Sequence, residues 1–251
     1  MYERLPYDEK CVELSLIGKK NKEMDMDIHI YTLENESIEI MEEGKETAVL
    51  LLEGTLELTW NGQQAKESRR NVFDDMPFCL HAPAKTKISC RAEGRAQFLV
   101  QKTENQRDFA PVLYKQEDFS EVKAGEGFME NTATRLIRTV FDTSNAPYSN
   151  MVLGEVISEQ GRWSSYPPHH HAQPEVYYYK FDKPQGFGCA MIGEQAYKVK
   201  DHSYIAIEGG FTHPQNTAPG YRMYFCWMIR HLENNPWKER IFDPEHEWMV
   251  Q

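Results

Sequence analysis

Apolar residues along this chain come in short runs separated by turn-forming residues. Glu46-Thr-Ala-Val-Leu-Leu-Leu-Glu53 runs into Gly54, and Thr55-Leu-Glu-Leu-Thr-Trp60 then alternates apolar with polar before Asn61-Gly62. A period of two puts alternate side chains on one face of a strand, and Asn-Gly between two such runs is a strong hairpin signal. The same patterning predicts strands at 71–74, 86–92 and 95–101. After a polar, irregular stretch at 103–127, it resumes at 134–141, 151–157, 176–181, 188–192, 203–207 and 221–229. Long helical periodicity is scarce, and short strands at regular spacing are the mark of sandwiches and barrels. The chain therefore reads as all-β, with two β-barrels in tandem over 1–110 and 111–251 and the 103–127 stretch as linker between them. No close repeat relates the halves.

Composition narrows the function classes. With 251 residues the chain can bury a sizeable core, and its formal charge of −11 argues against nucleic-acid and acidic-membrane partners. Met1-Tyr-Glu-Arg-Leu-Pro-Tyr-Asp-Glu-Lys10 lacks the apolar core of a signal peptide. Runs such as Ala48-Val-Leu-Leu-Leu52 are too short to cross a bilayer. The five cysteines are odd in number and form no Cys-x-x-Cys pair, which suits a reducing cytoplasm better than a disulfide framework.

The chemistry concentrates in Tyr166-Pro-Pro-His169-His170-His171-Ala-Gln-Pro-Glu175, with His213 following Gly209 and Gly210. His169, His171 and Glu175 share strand parity, so they are expected to point together into a barrel, with His213 arriving from a neighbouring strand. Such a set suits zinc, iron, nickel, copper or manganese and leaves coordination room for water or substrate. His170 has the opposite parity and is expected outside the ligand set. Continuing the parity puts Tyr177, Tyr179 and Phe181 on the inner face, where tyrosines can bind a sugar, move protons or simply fill the barrel. His29 and His81 lie outside any ligand pattern, and His202, at a strand start, is expected at the surface. Asp243-Pro-Glu-His246-Glu-Trp248 reads as a tail packed on a barrel mouth. The first barrel is expected to be metal-free.

These residues resemble the cupins, and within them the KduI/IolB family. The resemblance rests on Arg138-Thr-Val, Gly154-Glu-Val, Gly161-Arg-Trp-Ser-Ser-Tyr-Pro-Pro-His169, Glu175-Val-Tyr-Tyr and Pro184-Gln-Gly-Phe187 in family order. His213-Pro, Pro219-Gly-Tyr221 and Asp243-Pro-Glu-His-Glu-Trp248 continue it. Leu52-Glu-Gly54, Arg70-Asn-Val-Phe73, Pro77 and Pro83 fit more loosely in the first half. The chain departs from the family pattern at His170-His171-Ala172 and at Cys189-Ala190, where members carry Gln-Arg.

The resemblance implies a bicupin, two tandem jelly-roll barrels, whose C-terminal barrel holds a divalent metal through His169, His171, Glu175 and His213, with zinc or manganese expected. It also implies an aldose–ketose isomerase converting 5-deoxy-D-glucuronate to 2-deoxy-5-keto-D-gluconate in myo-inositol catabolism. Glu175, Tyr177 and Tyr179 are then the candidates at the reacting atoms, with Glu155 or a metal-held hydroxide as further bases. Arg138, Arg162 and Arg222 are the candidates for the substrate carboxylate, because a guanidinium can grip a carboxylate with two hydrogen bonds. The alternatives are a cupin acting on a different uronate, a cupin dioxygenase, or a sugar-acid-binding bicupin without catalysis. A small-molecule sugar acid is the expected partner, and an apolar strand edge in each barrel points to a homo-oligomer.

Overall fold

The computed structural model describes residues 1–250. The chain is all-β, as its periodicity predicts. Among the described residues the only helical segments are four short 3-10 turns, and no helix is long and apolar enough to cross a membrane. Two compact units are present. One comprises residues 8–119 with 146–150, and the other comprises 1–7, 120–145 and 151 onward. The chain thus passes between units at several points, where a single boundary at 110/111 was expected.

In the first unit an antiparallel sheet runs in the order Cys11–Ser15, Asp27–Glu34, Ile88–Glu104, Lys45–Trp60, Cys79–Ala82, Val112–Tyr114. Ser37–Ile40 and Gln63–Arg69 pair alongside it. The two runs expected around Gly54 form one long strand, Lys45–Trp60, with register shifts on both sides of Glu53 where it pairs with Ile88–Glu104. The strand expected at 71–74 is instead a turn, because the Asn71 side-chain oxygen accepts from the backbone N–H of Phe73 and Asp74 at 2.8 and 2.9 Å. Asn folding back on its own backbone outcompetes the ladder. His81 lies in the core of this unit, its Nε2 2.8 Å from Glu46 Oε2. Glu46 also accepts from Ser149 Oγ at 3.0 Å and from the Asn150 N–H at 2.6 Å, which fastens the 146–150 segment to the unit.

The second unit holds the histidine cluster. Its seven-stranded antiparallel sheet runs Tyr2–Arg4, Ser203–Ile207, Glu175–Phe181, Met223–Arg230, Met151–Ser158, Arg135–Phe141, Val122–Ala124. A four-stranded sheet runs Trp163–Ser164, Gln215–Thr217, Phe187–Ile192, Gln195–Lys200, and His169–His170 pairs with Ile241–Phe242. The 103–127 stretch therefore contributes two paired strands, Val112–Tyr114 in the first unit and Val122–Ala124 in the second, rather than serving only as a linker.

Register decides which side chains face the interior. Tyr177 pairs with Trp227, Trp227 with Gly154, and Gly154 with Thr139. The neighbouring row is Tyr178, Cys226, Glu155 and Arg138, and it takes the opposite face. Gly154 is required where it stands: a Cβ there would lie 2.4 Å from the Trp227 ring. The indole lies in the space that the missing side chain leaves.

Candidate metal centre

Four residues converge at one end of the second unit. His169 belongs to the two-residue strand His169–His170, and Glu175 opens Glu175–Phe181, with a bend over 171–174. The common inward direction thus comes from two strands separated by a break rather than from one continuous strand. Gly209 brings the fourth residue in. Its backbone packs so close to the Ala172 carbonyl that a Cβ would sit 1.9 Å from the oxygen, and the Gly210 N–H donates to His171 O at 2.7 Å. His213, three residues on, enters the same cluster.

His169, His171, Glu175 and His213 are all buried. His171 Nε2 and His213 Nε2 lie 3.2 and 3.3 Å from the same oxygen, Glu175 Oε2. The His169 ring centroid is 5.2 Å from that of His213. His171, Glu175 and His213 each offer an atom within 4.8 Å of the others, a group able to hold a metal ion. His170 is only half-buried.

The other nitrogens of these rings determine what the cluster wants. His169 Nδ1 lies 2.9 Å from Pro167 O, His171 Nδ1 2.9 Å from Gln173 O, and His213 Nδ1 2.8 Å from Phe211 O. A carbonyl oxygen only accepts, so each Nδ1 carries a proton, and in the neutral form of such a ring the lone pair is at Nε2. Burial, then the neighbouring His213, pushes the His169 pKa down to about 3, and burial also lowers that of His213. His213 Nε2 has no hydrogen-bond partner. Lone pairs facing a carboxylate oxygen across little more than 3 Å repel one another unless a cation lies between them. The donor set therefore fits a divalent metal, with the backbone carbonyls fixing each ring in its ligating tautomer.

A cavity of about 160 Å³ opens from the cluster. Tyr177 lines it, its hydroxyl 3.2 Å from Ser165 Oγ. Burial and then the Glu175 carboxylate hold the Tyr177 phenol well above its ordinary range. Tyr179 is buried off the cavity and donates to Gln215 Oε1 at 2.6 Å. Glu155, on the outward row, accepts from Tyr224 at 2.8 Å.

The three arginines expected to meet a substrate carboxylate do not line this cavity. Arg138 lies on the outward row and pairs with Glu121 at 2.6 Å. Arg222 pairs with Glu159 at 3.1 Å, and Arg162 sits in a turn closed on the Glu159 carbonyl. The cavity receives Arg135 and Arg240 instead. Arg135 shares parity with Ile137 and Thr139, but parity alone does not say which face of Arg135–Phe141 is inward. Arg240 and Trp237, also on the wall, come from a C-terminal segment without periodicity.

Two further expectations need correction. His202, expected at the surface, is buried between Tyr178 OH at 2.8 Å and Pro6 O at 2.9 Å. Trp248 is 63% exposed, so the tail meets the cluster through Phe242 beside His169 rather than through its last tryptophan. The divergent pair Cys189-Ala190 stays off the cavity wall, with Ala190 in the hydrophobic core.

The fold is that of the cupins. An IolB-like protein from Salmonella typhimurium LT2 superposes with a TM-score of 0.83 at 19% identity, covering 90% of each chain. Oxalate decarboxylase from Lactobacillus farciminis gives a TM-score of 0.67 at 11% identity over 92% of this chain and 83% of its own. The family model for KduI/IolB matches residues 7–249, and the chain belongs to the KduI/IolB family. Among curated relatives, 5-deoxy-glucuronate isomerase of Bacillus licheniformis is 25% identical over 82% of this chain and 80% of its own. The enzyme of the same name from Geobacillus thermodenitrificans is 24% identical over 88% and 82%.

Proposed function

We propose that this chain is a metal-dependent aldose–ketose isomerase that converts 5-deoxy-D-glucuronate to 2-deoxy-5-keto-D-gluconate in myo-inositol catabolism. The observation that carries the reading is the convergence of bare imidazole nitrogens on Glu175, beside a small cavity, in a family whose curated relatives bear that enzyme name. His169, His171, Glu175 and His213 hold the cation. Bound there, a divalent metal supplies a Lewis acid that polarises a carbonyl and stabilises enediolate charge. Zinc and manganese both suit three imidazoles with one carboxylate. Manganese has the added support of Bacillus subtilis oxalate decarboxylase, a fold neighbour with Mn(II) centres and a TM-score of 0.65.

The reaction moves the carbonyl from C1 to C2. The C2–H bond and the C2 hydroxyl O–H bond break, while a C1–H and an O1–H bond form. Tyr177 reaches the cavity protonated, so its role is to donate to a sugar oxygen rather than to abstract the C2 proton. Tyr179 braces the wall behind it through Gln215. The apolar residues of the cavity, Phe225, Trp227 and Ile229 among them, exclude water from the reacting carbons. The same reading makes the partner a small-molecule sugar acid and the protein a cytoplasmic homo-oligomeric bicupin.

Proton NMR of 5-deoxy-D-glucuronate with the purified protein tests the reading. The aldehyde and hemiacetal signals are expected to disappear, to persist after chelation, and to disappear again when one metal is returned. Persistence of the signals at full metal occupancy would overturn it.

A further inference from the structure

The cavity contains two positive charges that the metal cluster does not use. Arg135, at the start of Arg135–Phe141, is buried, and its side chain donates to the Ala133 carbonyl at 2.8 Å. Arg240 is exposed at the rim, with its guanidinium over the Phe242 ring at 5.8 Å. Among the described residues neither arginine forms an ion pair with a carboxylate. Of the other second-unit arginines considered above, Arg138 and Arg222 each have one. The charged groups acting on Arg135 are another cation, Arg240, and the phenol of Tyr177. Burial and Arg240 bring the Arg135 pKa down to about 10, so the group remains a cation at neutral pH while paying for its desolvation.

A buried guanidinium sharing one cavity with a second guanidinium, with no acid paired to either, is unfavourable by itself. It is favourable once an anion sits between the two forks. Arg240 also acts electrostatically on His169, and Arg135 on Tyr177, so the pair borders the reacting region from the side of the wall. The indole N–H groups of Trp227 and Trp237, both on the wall, are buried without an acceptor. Apart from Glu175, which faces the histidines, the titratable lining is cationic, imidazole or phenolic.

We infer that Arg135 and Arg240 form a clamp for the carboxylate of a monosaccharide acid, selecting acids over neutral sugars at this cavity. The inference rests on the isomerase reading for the choice of a sugar acid, and its test does not need turnover. In 5-deoxy-D-glucuronate the carboxylate is at the opposite end of the carbon chain from the aldehyde. The clamp therefore fixes which end of the substrate reaches the histidines.

The test is calorimetric titration of the metal-loaded protein with D-glucuronate and with D-glucuronamide, which differs by exchange of the carboxylate for a neutral amide. The parent protein is expected to prefer the acid by about 30-fold, the scale of a charge-assisted pair of hydrogen bonds. Arg135→Gln and Arg240→Gln are each expected to reduce the preference to about threefold or less, with metal content by mass spectrometry unchanged. Arg135→Lys, which keeps the charge without the fork, is expected to fall between them. Arg240 is exposed, so its variant keeps the test available if loss of Arg135 disrupts folding. Equal affinity for acid and amide in the parent, or an undiminished preference in the folded variants, would overturn the clamp. Turnover of 5-deoxy-D-glucuronate without acid preference overturns the clamp alone. Acid preference without turnover leaves the clamp standing and overturns the isomerase.

Discussion

Gly154→Ala adds one methyl group to the row Tyr177, Trp227, Gly154, Thr139, and the structure sets its cost. The new Cβ would lie 2.4 Å from two carbons of the Trp227 indole and 2.7 Å from its nitrogen, whereas ordinary contact begins at 3.4 Å. Trp227 must therefore move by about an ångström, and it is hemmed in by Trp237 at 5.6 Å and by the core around Phe225. Overpacking of this kind costs about 1–3 kcal/mol. For a chain of this size, about 2 kcal/mol lowers the melting temperature by about 4–8 °C. Because Trp227 also forms the cavity wall, the Michaelis constant should rise while metal content stays the same. Circular-dichroism melting, steady-state kinetics and metal analysis read these effects. The Trp227→Phe background supplies the internal check, since the benzyl ring lacks the indole atoms that collide and should absorb most of the alanine's cost. A melting temperature within about 1 °C of the parent, or a full cost persisting in the Trp227→Phe background, would refute the packing argument.

Three further outcomes are expected. His171→Ala removes one of the two imidazoles that face Glu175 Oε2, and should weaken metal binding by at least about 100-fold and abolish turnover, read by metal analysis and NMR. Glu46→Ala leaves the buried His81 without its carboxylate and releases Ser149 and Asn150, so it should cost about 3–5 kcal/mol in a chemical denaturation curve. In chelator, stability should fall as pH drops from about 6.5 toward about 3. Over that window the unfolded chain binds a proton at His169 that the folded chain refuses. The slope is up to about 1.4 kcal/mol per pH unit for that group, and it should flatten in His169→Gln.

The strands and the metal-binding spacing were legible because both depend on local order. Alternation marked 151–157 and 203–207 almost to the residue, against observed strands Met151–Ser158 and Ser203–Ile207. His169, His171, Glu175 and His213 declared themselves as a group because two of them are two apart and glycines precede the last. What was hidden depends on pairing between distant strands. Arg135 and Arg138 are three apart, on opposite faces of one strand, and only the register with Met151–Ser158 assigns Arg138 to the outward row with Glu155. Arg240 and Trp237 lie in a coil whose position follows from the pairing of Ile241–Phe242 with His169–His170. His202 looked solvated because its partners, Pro6 and Tyr178, come from remote parts of the chain. At 71–74, apolar Val72-Phe73 suggested a strand, but the Asn71 side chain turned the backbone first.

The strand Tyr2–Arg4 completes one edge of the sheet that carries Glu175 and Tyr177, with Tyr2 opposite Ile205. During synthesis the two partners emerge far apart in time. At about 5–20 residues per second the early strand waits about 10–40 s for Ser203–Ile207 to leave the ribosome. Until then it has no ladder to join, and the unit that bears the histidines cannot close. A nascent chain must therefore carry Tyr2–Arg4 unpaired until Ser203–Ile207 has been made, whereas the 8–119 strands find their partners nearer in sequence. Chaperone demand should fall on that early segment, and a premature stop after 150 but before 203 should yield a folded first unit trailing a second one that cannot form.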